Sequence, residues 1–487
     1  TEIYTLSLHD ALPIYLKRVM TVGLTEVGLD GLHFDNTHGE PGYSESTLKK
    51  FKAYLVAHCP APLDRFGISD FDNIQLPPES ELKYDISDAL TQEWIRFRVS
   101  ALSDTLQGIR QHADAVKPGA ILLYNPSQPR GTYNTIAERA TYMPAYGKGI
   151  DMAFAENGNF PRVEDNILIH KVESFKTAEA VGYACLSTTW LRGIEGIGLP
   201  SSVGQIEVSI AEAAAFGGIP GLNWELRPTN RGKEFVLDNP ELQRASRAVL
   251  TFIATNPEIF KNTRSIAQIA VFYSYPSNAF NRRTSYGSFC ATLQTLLQNQ
   301  LPFDILFTEN LDTLARYDLV ILPETVCMSD SEAVAIEDYV NNGGRAIMIG
   351  NCGDADENFR QRHEPVFASF FSPQFQRMES LNQLPIEDGY TLKTPLPTQA
   401  SHLVAAVSNL LLSCSLFDFD APPTTLVEVR QSQSGAVCIH VINYDSNQIP
   451  LIRIVLHKKL MQMKATVISS PVDDDATARI DGNTLVL

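Results

Sequence analysis

The sequence predicts an α/β protein in three parts: a parallel sheet with helices, a second doubly wound α/β unit and a small antiparallel β-sandwich. Helix-like and strand-like segments alternate from Tyr15 to about Thr263, the pattern of βα units on a parallel sheet. A shorter alternating block follows and ends near Phe417. After a proline-rich turn at 421–423 the pattern becomes strands alone, which predicts the sandwich.

The composition agrees with a folded chain of several domains. At roughly 100–200 residues per domain, 487 residues correspond to about three. An apolar fraction of 44% and a charged fraction of 20% are ordinary for a globular protein. Lys and Arg number 39 against 56 Asp and Glu, a net charge of -17, which argues against nucleic acid or an anionic membrane as a partner. No apolar run approaches the roughly 20 residues of a membrane span.

The cysteines predict neither a disulfide framework nor a metal site. Their number is odd, they are scattered and they form no CxxC pair. We therefore expect reduced thiols in the core, which favours a reducing, cytoplasmic compartment. No GxGxxG, Walker A or HExxH motif occurs, so we expect no cofactor and no metal. The seven positions are Cys59, Cys185, Cys290, Cys327, Cys352, Cys414 and Cys438.

The first fourteen residues, TEIYTLSLHDALPI, match a common short-read sequencing adapter translated in one frame, codon by codon. We therefore expect residues 1–14 to be non-native; the alternative is a native strand-helix element. With the native start out of view, a signal peptide is neither seen nor excluded.

The first α/β block contains five predicted strands with helices between them. The strands are Leu29–Asn36, Ala120–Asn125, Asp151–Glu156, Tyr183–Thr189 and Pro220–Glu225. The helices are Tyr15–Gly28, Glu45–His58, Ile86–Val116, Ile167–Val181, Val203–Phe216 and Pro240–Ile259. Gly28 is a good stop for the first helix, because glycine readily takes the left-handed conformation that ends helices.

The second block predicts a doubly wound unit and the last block a sandwich. Ser329 and Glu332 form a capping box that opens a helix at Ser331–Asn342. A further helix is predicted over Ser288–Asn299. The strands of the second block are Ile266–Tyr273, Pro302–Phe307, Asp318–Leu322 and Arg345–Gly350. Those of the last block are Thr425–Arg430, Ala436–Tyr444, Ile449–Leu456 and Ala465–Ser470.

Carboxylates end three of the five strands in the first block: Asp35, Glu156 and Glu225. Enzymes with parallel sheets place their chemistry at the carboxyl ends of the strands. Alternation along the strands puts Asp35 and Glu225 on the face opposite the apolar residues, whereas both faces of the strand before Glu156 are apolar. The three carboxylates lie on the first, third and fifth visible strands, and alternate strands of a barrel contribute to one layer, so we expect them to converge. Glycosidic cleavage needs such a set, one carboxyl as proton donor and another as nucleophile or base. Capping a helix or pairing with Arg is the alternative role for each.

Polar and aromatic residues near the same strand ends are candidate sugar contacts. His33 can orient Asp35 or be a structural histidine, the aromatic residues can stack on sugars or belong to the core, and Arg227 can clamp substrate or form a salt bridge. Cys327 follows a strand, but PETVCMSD lacks the glycines of a nucleophile elbow, so we expect no catalysis there. The substrate-binding candidates are His33, Asn36, Tyr124, Asn125, Asn157, Trp190, Asn223, Trp224 and Arg227.

Three segments resemble the family 42 β-galactosidases. YDLVILPETVCMSDSEAVAIEDYVNNGGRAIMIG (Tyr317–Gly350) is similar to their trimer-forming domain, a glutamine-amidotransferase-like fold without its nucleophile. VCIHVINYD (Val437–Asp445) resembles their closing β-sandwich. GLDGLHFDN (Gly28–Asn36) resembles strand four of their (β/α)8 TIM barrel, and also the α-fucosidase pattern with a strand-four aspartate as nucleophile.

The resemblance implies a domain order and an assembly. Residues 15–263 would be strands four to eight of a partial TIM barrel, residues 264–418 the amidotransferase-like domain and residues 419–487 the sandwich. It further implies a homotrimer and an oligosaccharide, polysaccharide or other glycoside as substrate. Because strands one to three would lie upstream, we expect this chain to expose an open sheet edge and to hydrolyse sugars poorly.

The site departs from the family pattern, in which strand four carries Asn-Glu and strand seven a nucleophilic Glu. Here strand four carries Asp35-Asn36, and the presumptive strand seven ends in Ser187-Thr188-Thr189. We assign Asp35 as nucleophile or base, Glu156 as general acid/base and Glu225 as an alternative carboxylate or sugar-hydroxyl acceptor. The rival hypothesis is a non-catalytic carbohydrate-binding or assembly protein. Schiff-base chemistry is disfavoured, because no visible strand end carries a lysine.

Overall fold

The computed structural model describes most of the chain, including nearly all of the second block. No helix in this described part is both long enough and apolar enough to cross a membrane. The described residues are 12–35, 38–39, 42–83, 85–126, 134–155, 161–189, 203–222, 225–229, 232–235, 240–381, 397–445, 451–457, 479–481 and 484–486.

The first block alternates strands and helices as predicted. Its strands are β1 (Gly31–Phe34), β2 (Ile121–Tyr124), β3 (Met152–Ala155), β4 (Arg162–Glu164), β5 (Ile167–Ile169), β6 (Ala184–Thr189), β7 (Ile219–Leu222), β8 (Glu225–Thr229) and β9 (Gly232–Phe235). Its helices are α1 (Leu12–Thr21), α2 (Glu45–His58), α3 (Pro62–Phe66), α4 (Ala89–Val116), α5 (Thr135–Arg139), α6 (Val172–Ala180), α7 (Val203–Ala215), α8 (Pro240–Thr255) and α9 (Pro257–Phe260). Gly28, at φ +80°, follows the π-helical turn Val22–Glu26 that extends α1.

Five of these strands form one parallel sheet in the order β1-β2-β3-β6-β7. They are the five strands predicted from the sequence. Each parallel neighbour is reached by a crossover that carries a helix, as parallel pairing requires. Within the described residues β1 pairs with β2 alone and β7 with β6 alone, so these two strands form the sheet edges.

The predicted helix Ile167–Val181 begins later than expected. Ile167–Ile169 is strand β5, which pairs with β4 in an antiparallel hairpin, and the helix starts at Val172. Asp165 and Asn166 occupy the two-residue turn at φ +50° and +63°, the geometry of a type I′ turn, which Asp and Asn tolerate. The helical spacing of the apolar residues concealed this turn.

The second block is a doubly wound sheet with a fully buried centre. Its five parallel strands run in the order β12-β11-β13-β14-β15. Ser329 and Glu332 form the predicted capping box, and Gly343 at φ +97° follows the helix they open. The elements are β10 (Arg264–Ser265), β11 (Ile269–Tyr273), α10 (Tyr275–Phe280), α11 (Arg282–Gln298), β12 (Phe303–Phe307), β13 (Leu319–Pro323), α12 (Asp330–Asn341), β14 (Arg345–Ile349), β15 (Phe375–Met378) and α13 (Pro397–Leu411).

The last block forms two antiparallel sheets, as predicted. One has the order β10-β17-β18 and the other β16-β19-β21-β20. Strand β10, which begins the predicted second domain, therefore pairs with the third. The predicted strand Ala465–Ser470 lies outside the described residues. The new elements are β16 (Phe417–Asp420), β17 (Thr425–Gln431), β18 (Val437–Asn443), β19 (Arg453–Leu456), β20 (Arg479–Asp481) and β21 (Thr484–Val486).

Buried apolar side chains join the first two blocks in one continuous core. Trp94 on α4 is fully buried in this core, with the ring of Phe51 edge-on at 5.1 Å between centroids. None of the seven cysteines, all of which the structure describes, is in a disulfide, and six are buried while Cys414 is partly buried. The prediction of reduced thiols in the core agrees with this placement.

Candidate active site

Asp35 lies directly after β1, at the carboxyl edge of the first sheet. Its side chain is exposed. Asn125, directly after β2, donates a hydrogen bond from Nδ2 to Asp35 Oδ1 at 2.8 Å, and its backbone N–H bonds Phe34 O at 2.9 Å. Asn125 was expected to contact substrate; in the structure it holds the Asp35 carboxylate in place.

The two faces of β1 differ as the alternation predicts. Leu32 and Phe34 pack against the core, whereas His33 is exposed. The His33 ring lies 4.9 Å from the ring of Phe154 on β3, centroid to centroid. His33 and Asp35 are thus on the face of the sheet turned away from the Leu32 and Phe34 packing.

Tyr124 lies in the core and not at the mouth of the site. Its ring stacks on Phe34 at 4.8 Å and is fully buried. Burial raises the pKa of its hydroxyl well above the usual value, and within the described residues that hydroxyl has no hydrogen-bond partner. Stacking on a sugar does not fit this placement, so the alternative core role applies.

The position of Glu225 corrects the sequence interpretation. The sheet strand β7 ends at Leu222, and Glu225 begins β8, which pairs antiparallel with β9. Since Leu222 and Glu225 belong to different strands, alternation counted along β7 does not determine on which face of the sheet Glu225 lies. Arg227 lies on β8 as well. The remaining candidates lie outside the described residues: Asn36, Glu156, Asn157, Trp190, Asn223 and Trp224.

Lys171 is a residue that sequence reasoning missed. It is buried at the start of α6, and its Nζ donates to Thr188 O and, at 3.4 Å, to Ser187 Oγ. An ammonium group thus reaches the carboxyl end of β6, where no carboxylate follows the strand. A lysine that reaches a strand end from the start of a helix gives no signal in sequence spacing, because it does not itself lie on the strand.

Glu212 connects Lys171 to the sandwich. Its Oε1 accepts a hydrogen bond from the Lys171 backbone N–H at 3.1 Å, and its Oε2 accepts one from the Tyr444 hydroxyl. Burial raises the pKa of Glu212 to about 7, while the hydrogen bond from Tyr444 and the charge of Lys171 oppose the rise. A continuous set of polar contacts therefore runs from the last domain to the end of β6.

Arg98 supports the loop that follows β1. The buried guanidinium donates to Ala137 O at 2.6 Å and Glu138 O at 2.8 Å, and also to Gly39 O. Because these carbonyls belong to two separate segments, Arg98 ties the loop after Asp35 to α5. The sequence does not predict this role of Arg98, because nothing in its spacing along α4 distinguishes a buried arginine from an exposed one.

The described residues contain no group of three or more His, Cys, Asp or Glu that could hold a metal ion. Cys327 is fully buried, and burial raises the pKa of its thiol to about 12. A thiol in that state is a poor nucleophile, in line with the expectation for this residue.

Residues 267–393 match the family model of the β-galactosidase trimerisation domain. No curated protein sequence matches the chain. The structural matches are extensive, although sequence identity is low.

Three solved structures illustrate them. The β-galactosidase from Bacillus circulans sp. alkalophilus has a TM-score of 0.68 at 14% identity, covering 92% of this chain and 78% of that one. The β-galactosidase from Rahnella sp. R3 has a TM-score of 0.70 at 13% identity, again covering 92% of this chain and 78% of that one. α-L-Fucosidase isoenzyme 2 from Paenibacillus thiaminolyticus has a TM-score of 0.60 at 12% identity, covering 97% of this chain and 77% of that one. The chain therefore has the fold of these glycosidases, and its residues 267–393 match a β-galactosidase trimerisation domain.

Proposed function

We propose that this chain is a glycoside hydrolase whose chemistry takes place at the carboxyl edge of the first sheet. The observation that carries the proposal is Asp35, an exposed carboxylate directly after β1, held by the Asn125 amide at 2.8 Å. A catalytic carboxylate needs access to the substrate and a fixed orientation. Asp35 is both accessible and held in a fixed orientation, and the chain has the fold of the glycosidases compared above.

The reaction is hydrolysis of an O-glycosyl bond by paired carboxylates. Asp35 acts as nucleophile or as the base that activates water, and Glu156 after β3 donates the proton to the leaving oxygen. Glu225 is the alternative second carboxylate. A separation of about 5–5.5 Å between the two carboxyl groups would give retention, and about 6.5–9.5 Å inversion.

The substrate class follows from the structural relatives. β-Galactosidases and an α-L-fucosidase share the fold, so aryl β-galactosides and aryl α-L-fucosides are the first substrates to test. A strand-end aspartate instead of the Asn-Glu pair favours including the fucoside from the start.

The decisive experiment compares two aspartates at opposite ends of β1. Asp35 follows the strand, whereas Asp30 precedes it with a highly exposed side chain. We expect Asp35→Ala to lower kcat by at least about 10²-fold and Asp30→Ala to leave it unchanged. The assay is run on the 487-residue chain. Undiminished turnover in Asp35→Ala would eliminate the proposed site.

A second candidate function is carbohydrate binding without hydrolysis. The observation favouring it is the end of β6, where Ser187 and Thr188 contact the Lys171 ammonium and no carboxylate follows. Isothermal titration with galactose, fucose and their oligosaccharides separates the two functions. Binding that persists in a protein without turnover on either aryl glycoside supports the second.

We further propose that the chain assembles as a homotrimer through residues 267–393. The match to a trimerisation domain supports this proposal. Sedimentation equilibrium of the intact protein measures the mass directly. A mass equal to one chain at micromolar concentration contradicts it.

A further inference from the structure

The two most exposed large apolar side chains in the described part of the chain both belong to the second block. Phe371 is 82% exposed and Leu412 is 83% exposed. Phe371 lies shortly before β15, and Leu412 directly follows α13. The proposed reaction uses neither of them. A single exposed apolar residue is ordinary on a protein surface, whereas a group of them marks an interaction site.

The segments that carry these two side chains meet at the amino edge of the second sheet. Ala346 N–H donates to Gln374 O at 2.8 Å, which holds the turn with the exposed phenylalanine against the second residue of β14. The guanidinium of Arg345, the first residue of β14, donates to Ser413 Oγ at 3.3 Å, next to the exposed leucine. Because Arg345 and Ala346 are consecutive, both segments lie at the start of one strand.

The turn that carries Phe371 is held by contacts within it. The guanidinium of Arg377 on β15 donates to Phe367 O and, at 3.1 Å, to Phe370 O. The rings of Phe370 and Phe375 pack edge to face, with 5.2 Å between their centroids. Phe371 therefore protrudes from an ordered turn, so a partner that covers it pays little conformational entropy for fixing the backbone beneath it.

Arg377 lies beside the exposed ring. Its guanidinium carbon is 5.8 Å from the centre of the Phe371 ring, and its side chain is exposed. We call Phe371, Arg377 and Leu412 the edge patch. Aromatic residues and arginine are enriched in protein interfaces, where a few such anchors supply most of the binding energy. The edge patch therefore has the composition of an interface anchor.

The edge patch lies at the far end of the second sheet from the first block. Strand β12 forms the other edge of this sheet, and there Lys176 on α6 lies 3.1 Å from Asp304. Within the described residues β15 pairs with β14 alone. The contact with the first block thus uses one end of the sheet and leaves the edge patch at the other.

We propose that the edge patch is the surface through which one copy of this chain binds a second copy. The inference rests on the homotrimer proposed above and adds the side chains that anchor its contacts. Phe371 and Arg377 lie within residues 267–393, which match the β-galactosidase trimerisation domain. The chain has 56 Asp and Glu against 39 Lys and Arg, so the surface of a second copy is on balance acidic and complements the charge of Arg377.

A ring of three copies is closed by contacts between two different surfaces of the chain. The edge patch of each copy therefore faces another surface of the next copy. Each of the three contacts contains one Phe371 and one Leu412. A substitution in the edge patch consequently weakens every contact in the ring.

Sedimentation equilibrium of the 487-residue chain tests the edge patch with Phe371→Ser and Leu412→Ser. Each variant should raise the dissociation constant of the trimer by at least about tenfold, the scale of an anchor residue. Val334→Ser is the matched control, because it removes an apolar side chain that is 54% exposed on α12 of the same block. We expect it to leave the dissociation constant unchanged.

The outcomes separate this inference from the homotrimer on which it rests. A wild-type mass equal to one chain contradicts both. A wild-type trimer that Phe371→Ser and Leu412→Ser leave equally tight overturns the edge patch and leaves the homotrimer standing. Equal weakening by Val334→Ser also overturns the edge patch, because any loss of apolar surface would then have the same effect.

Hydrogen exchange of the wild type tests the edge patch without a substitution, which covers a variant that fails to fold. Phe370 N–H donates to Phe367 O at 3.1 Å and Phe375 N–H donates to Ser372 O at 3.0 Å. Both amides should exchange more slowly in concentrated, assembled protein than in dilute, dissociated protein, while the amides of α12 exchange equally. Equal rates at Phe370 and Phe375 in a chain that does form trimers overturn the proposal.

Discussion

The chain contains two five-stranded parallel sheets that differ in how they meet solvent. In the second block three adjacent strands, β12, β11 and β13, are buried at every position. In the first block Ile121 on β2 and Ile219 on β7 are 46% and 42% exposed. Parallel sheets usually have both faces covered; within the described residues the second sheet meets that expectation in β12, β11 and β13, but not in β14 and β15.

This difference shows which sheet can hold a substrate site. The end of β13 leads into Cys327, which has no exposed surface. The end of β1 leads into Asp35, which is exposed and held by Asn125. Both sheets are parallel and have helices in their crossovers, so their topology does not distinguish them. They differ in whether the residues at the carboxyl ends of their strands are exposed, and only the first sheet has an exposed carboxylate there in the described residues discussed above.

The largest expected effect tests this contrast with one substitution made in each sheet. Ile321→Ala on β13 removes a fully buried side chain and should cost about 2–5 kcal/mol. Ile121→Ala on β2 removes a half-exposed one and should cost less than about 1 kcal/mol. Urea unfolding, with hydrogen exchange of the β13 and β2 amides as local probes, measures both. Equal losses would mean that the first sheet is covered as fully as the second.

Much of this architecture was predictable because it depends on local patterns. All five strands of the first sheet and the capping box at Ser329 follow from alternation and from neighbouring residues. The hairpin β4-β5 and the pairing of β10 with β17 were not predicted, since turn geometry and contacts between distant segments decide them.

The candidate site was predictable only in part for the same reason. Asp35 follows a strand and is visible in the sequence. Lys171 and Arg98 reach their partners from helices, across sequence separations of 17 and 39 or more residues. Their roles depend on packing that no spacing rule encodes.

The next effect concerns the contact between the two blocks. Tyr286 on α11 donates to both oxygens of Glu173, at 3.2 and 3.1 Å, and burial raises the Glu173 pKa to about 7. Because its pKa is raised, Glu173 binds a proton more tightly in the folded state than in the unfolded state. Its contribution to the free energy of unfolding is therefore complete below about pH 4 and is lost as the pH rises to 7. Glu173→Gln should remove about 1–2 kcal/mol from the pH dependence of the free energy of unfolding.

Thermal unfolding at half-unit pH steps measures the difference. Tyr286→Phe is the control, because the Tyr286 hydrogen bond lowers the pKa of Glu173, and losing it should move the midpoint to higher pH. A midpoint that moves down instead would contradict this account.

The loss of a helix N-cap should have a smaller effect on stability, and that effect should be equal in the two blocks. Ser329 caps α12 by accepting from Glu332 N–H at 3.2 Å, and Ser44 caps α2 by accepting from Thr47 N–H at 3.1 Å. Each Ser→Ala change should cost about 1 kcal/mol. Amide exchange in the first turn of each helix measures the two costs separately. Strongly unequal values would show that the blocks differ in their helices as well as in their sheets.

The smallest effect is expected at Tyr124, the one residue where the contrast between core and site is sharpest. Its buried hydroxyl has no hydrogen-bond partner among the described residues, so Tyr124→Phe removes an unsatisfied polar group and keeps the stacking on Phe34. Stability should change by less than about 1 kcal/mol, toward greater stability. Sugar affinity and turnover, measured in the same variant, should stay unchanged, because the ring faces the core. A loss of sugar affinity without a loss of stability would place Tyr124 in the substrate site and overturn its assignment to the core.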